Sequence, residues 1–244
     1  MNILKFGLFF SLICISCGVN AAVGLDRTRL IYNEQSKSVS VNIQNQNKEL
    51  PFLAQSWLEN AAHEKADIPF AVLPPLQRLE PNSSSLVRFE KTAAVSLLPQ
   101  DRESVFYFNL REIPPKSDKP NVMQIALQTQ IKMFYRPLGV IPAEGDVWQE
   151  QLTFSKTDSG YKVNNPTALH ITVTGLSKNM KEDSVSGFEG FMAPPKKELD
   201  IKLKENNLSH FFITYVDDFG GHPELKFICQ KGGLCVAEKK SSIK

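Results

Sequence analysis

The sequence predicts an all-β protein built from two β-sandwich domains. Three observations carry that prediction: nearly every apolar run alternates with period two, turn-forming clusters break the chain at regular spacing, and no segment sustains a 3.6-residue apolar stripe. At about 100 residues per sandwich, the length then divides in two.

The first element is not part of the fold. The chain opens MNILKFGLFFSLICISCGVNAAVGLDRTR, with Lys5 ahead of an uncharged apolar run from Phe6 to about Cys17. Val19 and Ala21 are the small residues that place cleavage after Ala21, so residues 1–21 read as a secretory signal peptide. The Cys14-Ile15-Ser16 run before Cys17 departs from a lipidation site. Removing 21 residues from 244 leaves 223, beginning at Ala22. No later apolar run reaches the roughly 18 residues that span a bilayer, which predicts an exported product without membrane insertion.

Strand patterns follow in order. Val39, Val41 and Ile43 alternate in SVSVNIQ, and Phe106, Phe108 and Leu110 alternate in VFYFNL. The longest pattern is NVMQIALQTQIKMFYRP, residues 121–137. It puts Met123, Ile125, Leu127, Ile131 and Met133 on one face and Gln128, Gln130 and Lys132 on the other. The alternation is a strand signal for this long segment, and by periodicity alone all of these apolar residues could fill one domain's own core. The stretch Gly139-Val140-Ile141-Pro142-Ala143-Glu144-Gly145 separates a first domain, 22–140, from a second, 146–244. A fresh strand is predicted from Trp148 to Phe154, then alternation at Leu169, Ile171 and Val173 and at Leu199, Ile201 and Leu203. Turns are marked by Asn45-Gln46-Asn47, Pro74-Pro75, Pro81-Asn82-Ser83, Asp158-Ser159-Gly160 and Gly220-Gly221.

Cys229 and Cys235 remain after signal removal, in FICQKGGLC. A metal site needs further ligands nearby and the sequence offers none. In an oxidising compartment, a disulfide stapling a hairpin over Gly232-Gly233 is the better reading, worth about 2 kcal/mol for so short a loop.

Without Lys5, 27 basic residues face 26 acidic ones, which argues against a nucleic-acid binder. The basic tail from Lys239 reads as solvated fringe. His63, His170, His210 and His222 are scattered without metal-ligand spacing, and no Gly-x-Ser-x-Gly elbow or phosphate-cradling loop occurs. The histidines read as surface or packing residues. The sequence predicts no enzyme, no metal and no cofactor.

Five segments carry a resemblance. LPQDRESVFYFNLREIPP (98–115), LDRTRLIY (25–32), LAQSWLEN (53–60), IKMFYRP (131–137) and YVDDFGGHPELKFIC (215–229) together resemble the PapD-like periplasmic pilus (fimbrial) assembly chaperones. The resemblance covers most of the mature chain and is thinnest around 177–198. It implies two immunoglobulin-like sandwiches in an L with an interdomain cleft, a periplasmic location, and pilin subunits and an outer-membrane usher as partners, without ATP. It leaves room for self-association of the free chaperone.

What the resemblance implies residue by residue is as follows. Residues 121–133 form a donor strand that completes an unfinished subunit sandwich. Met123, Ile125 and Leu127 fill the subunit's groove, while Ile131 and Met133 serve the first domain's own core. Arg29 and Lys132 hold the subunit's C-terminal carboxylate and so fix the strand's register. Glu103, Arg136 and Asp218 form a buried charge network at the domain junction, with a structural role. The short connection REIPPKSDKPN implies a rod-type pilus. The alternative is a secreted two-domain immunoglobulin-like adhesin or binding protein that recognises its partner with loops.

Overall fold

A computed structural model describes residues 22–65 and 69–238; the segment expected to be a signal peptide and the basic tail lie outside them. The first sandwich has nine strands: β1 Val23–Leu25, β2 Arg29–Asn33, β3 Ser38–Asn45, β4 Phe52–Glu59, β5 Phe70–Leu73, β6 Leu76–Leu79, β7 Ser84–Lys91, β8 Ser104–Ile113 and β9 Gln128–Arg136. A four-stranded sheet, β1-β3-β7-β5, faces a five-stranded one, β2-β9-β8-β4-β6. Alternation does the sorting: Val41, Ile43, Phe108 and Met133 point inward and are fully buried. Every pairing is antiparallel except β2 with β9, which is parallel.

The second unit has eight strands: β10 Thr153–Thr157, β11 Gly160–Asn165, β12 Ile171–Ser177, β13 Phe191–Ala193, β14 Lys197–Lys202, β15 His210–Tyr215, β16 Glu224–Cys229 and β17 Leu234–Ala237. They join in one sheet, ordered β13-β12-β15-β16-β17-β10-β11-β14, around a separate core. Phe154 packs edge-on against Phe211 and Phe227 at 5.2 and 5.0 Å between centroids, a geometry that suits the aromatic quadrupole. Cys229 and Cys235 face each other across β16 and β17 and are disulfide-bonded.

Two expectations need correction. The strand predicted over Trp148–Phe154 is instead a 3-10 turn, Trp148–Gln151, with strand beginning only at Thr153. The Trp148 ring lies 5.2 Å from the Arg136 guanidinium carbon and Gln149 is buried, so this stretch packs at the domain junction rather than joining the sheet. The strand predicted over 121–133 begins only at Gln128. Its neighbour β8 runs into Pro114 and Pro115, which have no N–H to continue a ladder. The last bond is Glu112 N–H to the Leu127 carbonyl at 2.9 Å.

Each sandwich holds a buried asparagine that ties loop to strand. Asn45 Nδ2 donates to the carbonyls of Leu50, Leu79 and Glu80 at 3.0–3.2 Å. Asn165 Nδ2 donates to those of Leu169, Ala193 and Pro194 at 2.8–3.1 Å, and its Oδ1 accepts the Thr167 N–H. Both are fully buried. Replacing Asn165 by Ala orphans several buried groups at once. We expect a loss of about 2–4 kcal/mol, read as a lower urea midpoint at unchanged slope.

Candidate functional site at the domain junction and its strand edge

The parallel register of β2 and β9 pairs Arg29 with Lys132, Ile31 with Phe134 and Asn33 with Arg136. Leu30, Tyr32, Met133 and Tyr135 point into the core. The other set therefore shares the opposite face, and two cations from strands 103 residues apart in sequence stand side by side.

Among the described residues neither cation forms a salt bridge. Arg29 Nη1 donates to the Val216 carbonyl of the second domain at 3.1 Å, and its guanidinium lies 5.8 Å from the Phe134 centroid. Its Nε is buried and has no hydrogen-bond partner. Among the described residues the Lys132 ammonium meets no acceptor. Burial, then the neighbouring Arg29, pushes the Lys132 pKa down. Burial also pushes Arg29 down, against the pull of Asp218, Asp217 and Glu103. Arg29 lines a cleft of about 430 Å³ with Thr28, Ile31, Asn33, Arg136, Asp218 and Phe219. Two partly desolvated, mutually repelling cations thus stand side by side, with Arg29 at the edge of an open cleft.

Below this pair the two units are locked by charge. Arg136 Nε donates to Glu103 Oε1 at 2.7 Å, while Nη1 and Nη2 donate to the two carboxylate oxygens of Asp218 at 2.5 and 2.7 Å. Arg136 and Glu103 are each 3 % exposed. Burial disfavours the guanidinium's charge, but Asp218 and Glu103 outweigh it and raise its pKa. The network has a member that the sequence reading left as an ordinary packing residue: Glu103 Oε2 accepts the backbone N–H of His170 and meets its Nδ1, both at 2.8 Å. Glu103 also donates its backbone N–H to the Ala168 carbonyl. Trp148 under Arg136 and Val216 beside Arg29 were likewise missed, since nothing local in the sequence marks them.

The three apolar residues expected on the donor strand are in the open. Met123, Ile125 and Leu127 are 86, 65 and 37 % exposed, whereas Ile131 and Met133 on the same face are buried in the first core. On its other edge β9 pairs with β2 only from Lys132 onward, so among the described residues, positions 128–131 have no strand neighbour on that edge.

Known proteins decide what this combination belongs to. Residues 22–140 match the family model for the N-terminal domain of the PapD pili and flagellar-assembly chaperones, and residues 147–227 that for the C-terminal domain. The chain belongs to the PapD family of pilus-assembly chaperones. Chaperone protein PmfD of Proteus mirabilis is 49 % identical over 223 residues, covering 90 % of this chain and 88 % of the relative. Chaperone protein PapD of Escherichia coli is 47 % identical over 224 residues, covering 91 % and 92 %. Among solved structures, the periplasmic chaperone SfaE superposes with a TM-score of 0.69 at 30 % identity, over 84 % of this chain and 98 % of that one. The Salmonella enterica SafB chaperone, solved in complex with the SafA pilin, gives 0.72 at 26 % identity, over 84 % and 95 %. The paired cations, the junction network and the exposed apolar residues of this PapD-family chain all lie within the two matched segments.

Proposed function

We propose that this chain is a periplasmic chaperone that holds pilin subunits by donor-strand complementation and passes them to an outer-membrane usher. The observation that carries this is the coincidence of a cation pair, Arg29 on β2 and Lys132 on β9, with a run of exposed apolar residues in the segment that leads into β9. An incoming strand laid along the free edge of β9 has a defined stop, because β2 occupies that edge from Arg29 onward. A strand running parallel to β9, as β2 does, would meet the stop with its C-terminus. Arg29 and Lys132 would then receive its terminal carboxylate. Once residues 123–132 are extended as a strand, at about 3.3 Å per residue, Leu127 would stand about 17 Å and Met123 about 30 Å from Lys132, so one fixed end sets the register of all three groove-filling side chains. Backbone pairing tolerates many subunit sequences, and the inserted side chains supply fit. Binding and release need strand exchange only, with no cofactor and no catalytic step.

The test is Lys132→Ala. Its ammonium is desolvated and unpaired, and its folded-state pKa is lowered, so charge at neutral pH works against folding. Losing that charge should leave stability unchanged or slightly raised. Subunit binding should weaken by about 2–5 kcal/mol, the range for truncating one partner of a buried charge pair. Co-expressed subunit should then be degraded rather than recovered from the periplasm. Arg29→Ala should behave alike in binding but also lose the bond to Val216, so its stability falls. Undiminished subunit recovery with Lys132→Ala overturns the anchor.

A further inference from the structure

Glu112 carries a buried carboxylate that the site above does not use. It follows Phe106, Phe108 and Leu110 on the core face of β8 and is 5 % exposed. Its Oε2 accepts the backbone N–H of Val23 at 2.6 Å. Among the described residues no lysine, arginine or histidine pairs with it. A buried carboxylate with a single neutral donor is an unfavourable arrangement unless a cation joins it.

The missing cation is one residue away. Ala22 precedes Val23, packs against the first core, and accepts the Gln46 N–H through its carbonyl at 2.7 Å. With Val23 N fixed on the carboxylate, covalent geometry keeps the Ala22 nitrogen within about 6 Å of it. Hydrolysis of the Ala21–Ala22 peptide bond consumes one water, leaves a carboxylate on Ala21, and makes that nitrogen an α-amino group. Its usual pKa, about 7.7–8.0, leaves it mostly protonated at neutral pH.

We propose that Glu112 is the receptor for the α-ammonium of Ala22, and that signal removal thereby fixes the point where the donor segment leaves the sheet. The two ends of this device are the same residue. The side chain of Glu112 holds the start of β1, and its backbone N–H makes the last ladder bond, to Leu127, before Met123–Leu127 depart. In the unprocessed chain Ala22 offers a neutral amide, the carboxylate has no counter-charge, and that fork is weaker. Glu112 acts as a positioning residue, tightening the base of the donor segment only in the exported chain. The inference rests on cleavage after Ala21 and on the donor-strand reading.

The test compares the exported chain beginning at Ala22 with the same chain extended by Gly-Ser, which turns the Ala22 nitrogen into an amide. Both are made with and without Glu112→Gln, which keeps an acceptor for Val23. Amide hydrogen exchange is followed at Val23 and Glu112. The extension should lower protection at these two amides about tenfold, the scale of one charge-assisted hydrogen bond, with the sheet interior unmoved. In Glu112→Gln the extension should change nothing. Equal protection in extended and unextended chains, or an extension effect that survives Glu112→Gln, overturns the proposal. So does an intact mass showing that the exported chain starts elsewhere. None of these outcomes touches the anchor, which Lys132→Ala decides separately.

Discussion

Changing Met123, Ile125 and Leu127 together to serine is expected to abolish subunit capture while leaving the free chaperone folded. The free protein gains little from these side chains, since the first two are 86 and 65 % exposed. Exposed substitutions of this kind usually move stability by no more than about 0.5 kcal/mol. In the complex the accounting reverses. Burying three such side chains is worth about 5–9 kcal/mol before the entropy of ordering the segment is charged against it. Losing even the lower figure weakens binding by more than about a thousandfold. Titration of refolding subunit with chaperone, read by complex recovery, measures the change. A chaperone that loses only a few-fold affinity after all three truncations does not fill a groove with this segment, and binding through loops at a sandwich end becomes the better account. Among the single variants, Leu127→Ser should perturb the free protein most, because Leu127 is already partly covered and its carbonyl holds the last ladder bond. Met123→Leu should be nearly neutral, since a flexible thioether and a leucine have similar volume.

The legibility of this fold follows from what period two encodes. Alternation separates the inward residues Val41, Ile43, Phe106, Phe108 and Leu110 from their outward neighbours, because a half-buried strand has only that one pattern. The same pattern misleads at residues 121–127. Alternation there is as regular as in β9, yet the segment leaves the sheet because its would-be partner runs into Pro114 and Pro115, a fact about another strand. Trp148 reads as the start of a strand by composition, whereas in the fold its ring packs under the Arg136 guanidinium and the stretch turns. The site divides in the same way. Arg29, Lys132, Glu103, Arg136 and Asp218 entered through a family resemblance, not through any local signal. His170 entered through neither, since its partner Glu103 is 67 residues away and ALHITVTGL is otherwise an ordinary strand pattern.

Arg136→Ala is expected to destabilise the chaperone by about 3–5 kcal/mol, the scale for removing one partner of a buried ion pair. The loss does not come from forfeiting a favourable pair, since buried pairs are close to neutral overall. It comes from what stays behind: Glu103, 3 % exposed, and Asp218, with the charge between them removed. Glu103 keeps its two contacts to His170, whereas Asp218 is about a quarter exposed and can turn toward water. Asp218→Asn should therefore cost less than Arg136→Ala, and Glu103→Gln more than Asp218→Asn. Arg136→Lys should recover only part of the loss, because one ammonium cannot reproduce a fork that reaches Glu103 with Nε and both Asp218 oxygens with Nη1 and Nη2. The pH dependence has a definite sign. Its two carboxylate partners raise the Arg136 pKa above the ordinary guanidinium range, so its contribution is complete at any pH below that range and fades only as pH rises through the raised folded-state value. Across the neutral range the Arg136 charge itself is a constant brace. Thermal melts of these four variants at one pH order the contributions, and a normal melt for Arg136→Ala would mean that the two sandwiches are held together by something else. The link to function is geometric. Arg29 reaches across the junction to Val216 two residues before Asp218, so a loosened junction moves Arg29, one of the two cations proposed as the anchor. Arg136→Ala should thus weaken subunit binding even in the fraction that remains folded.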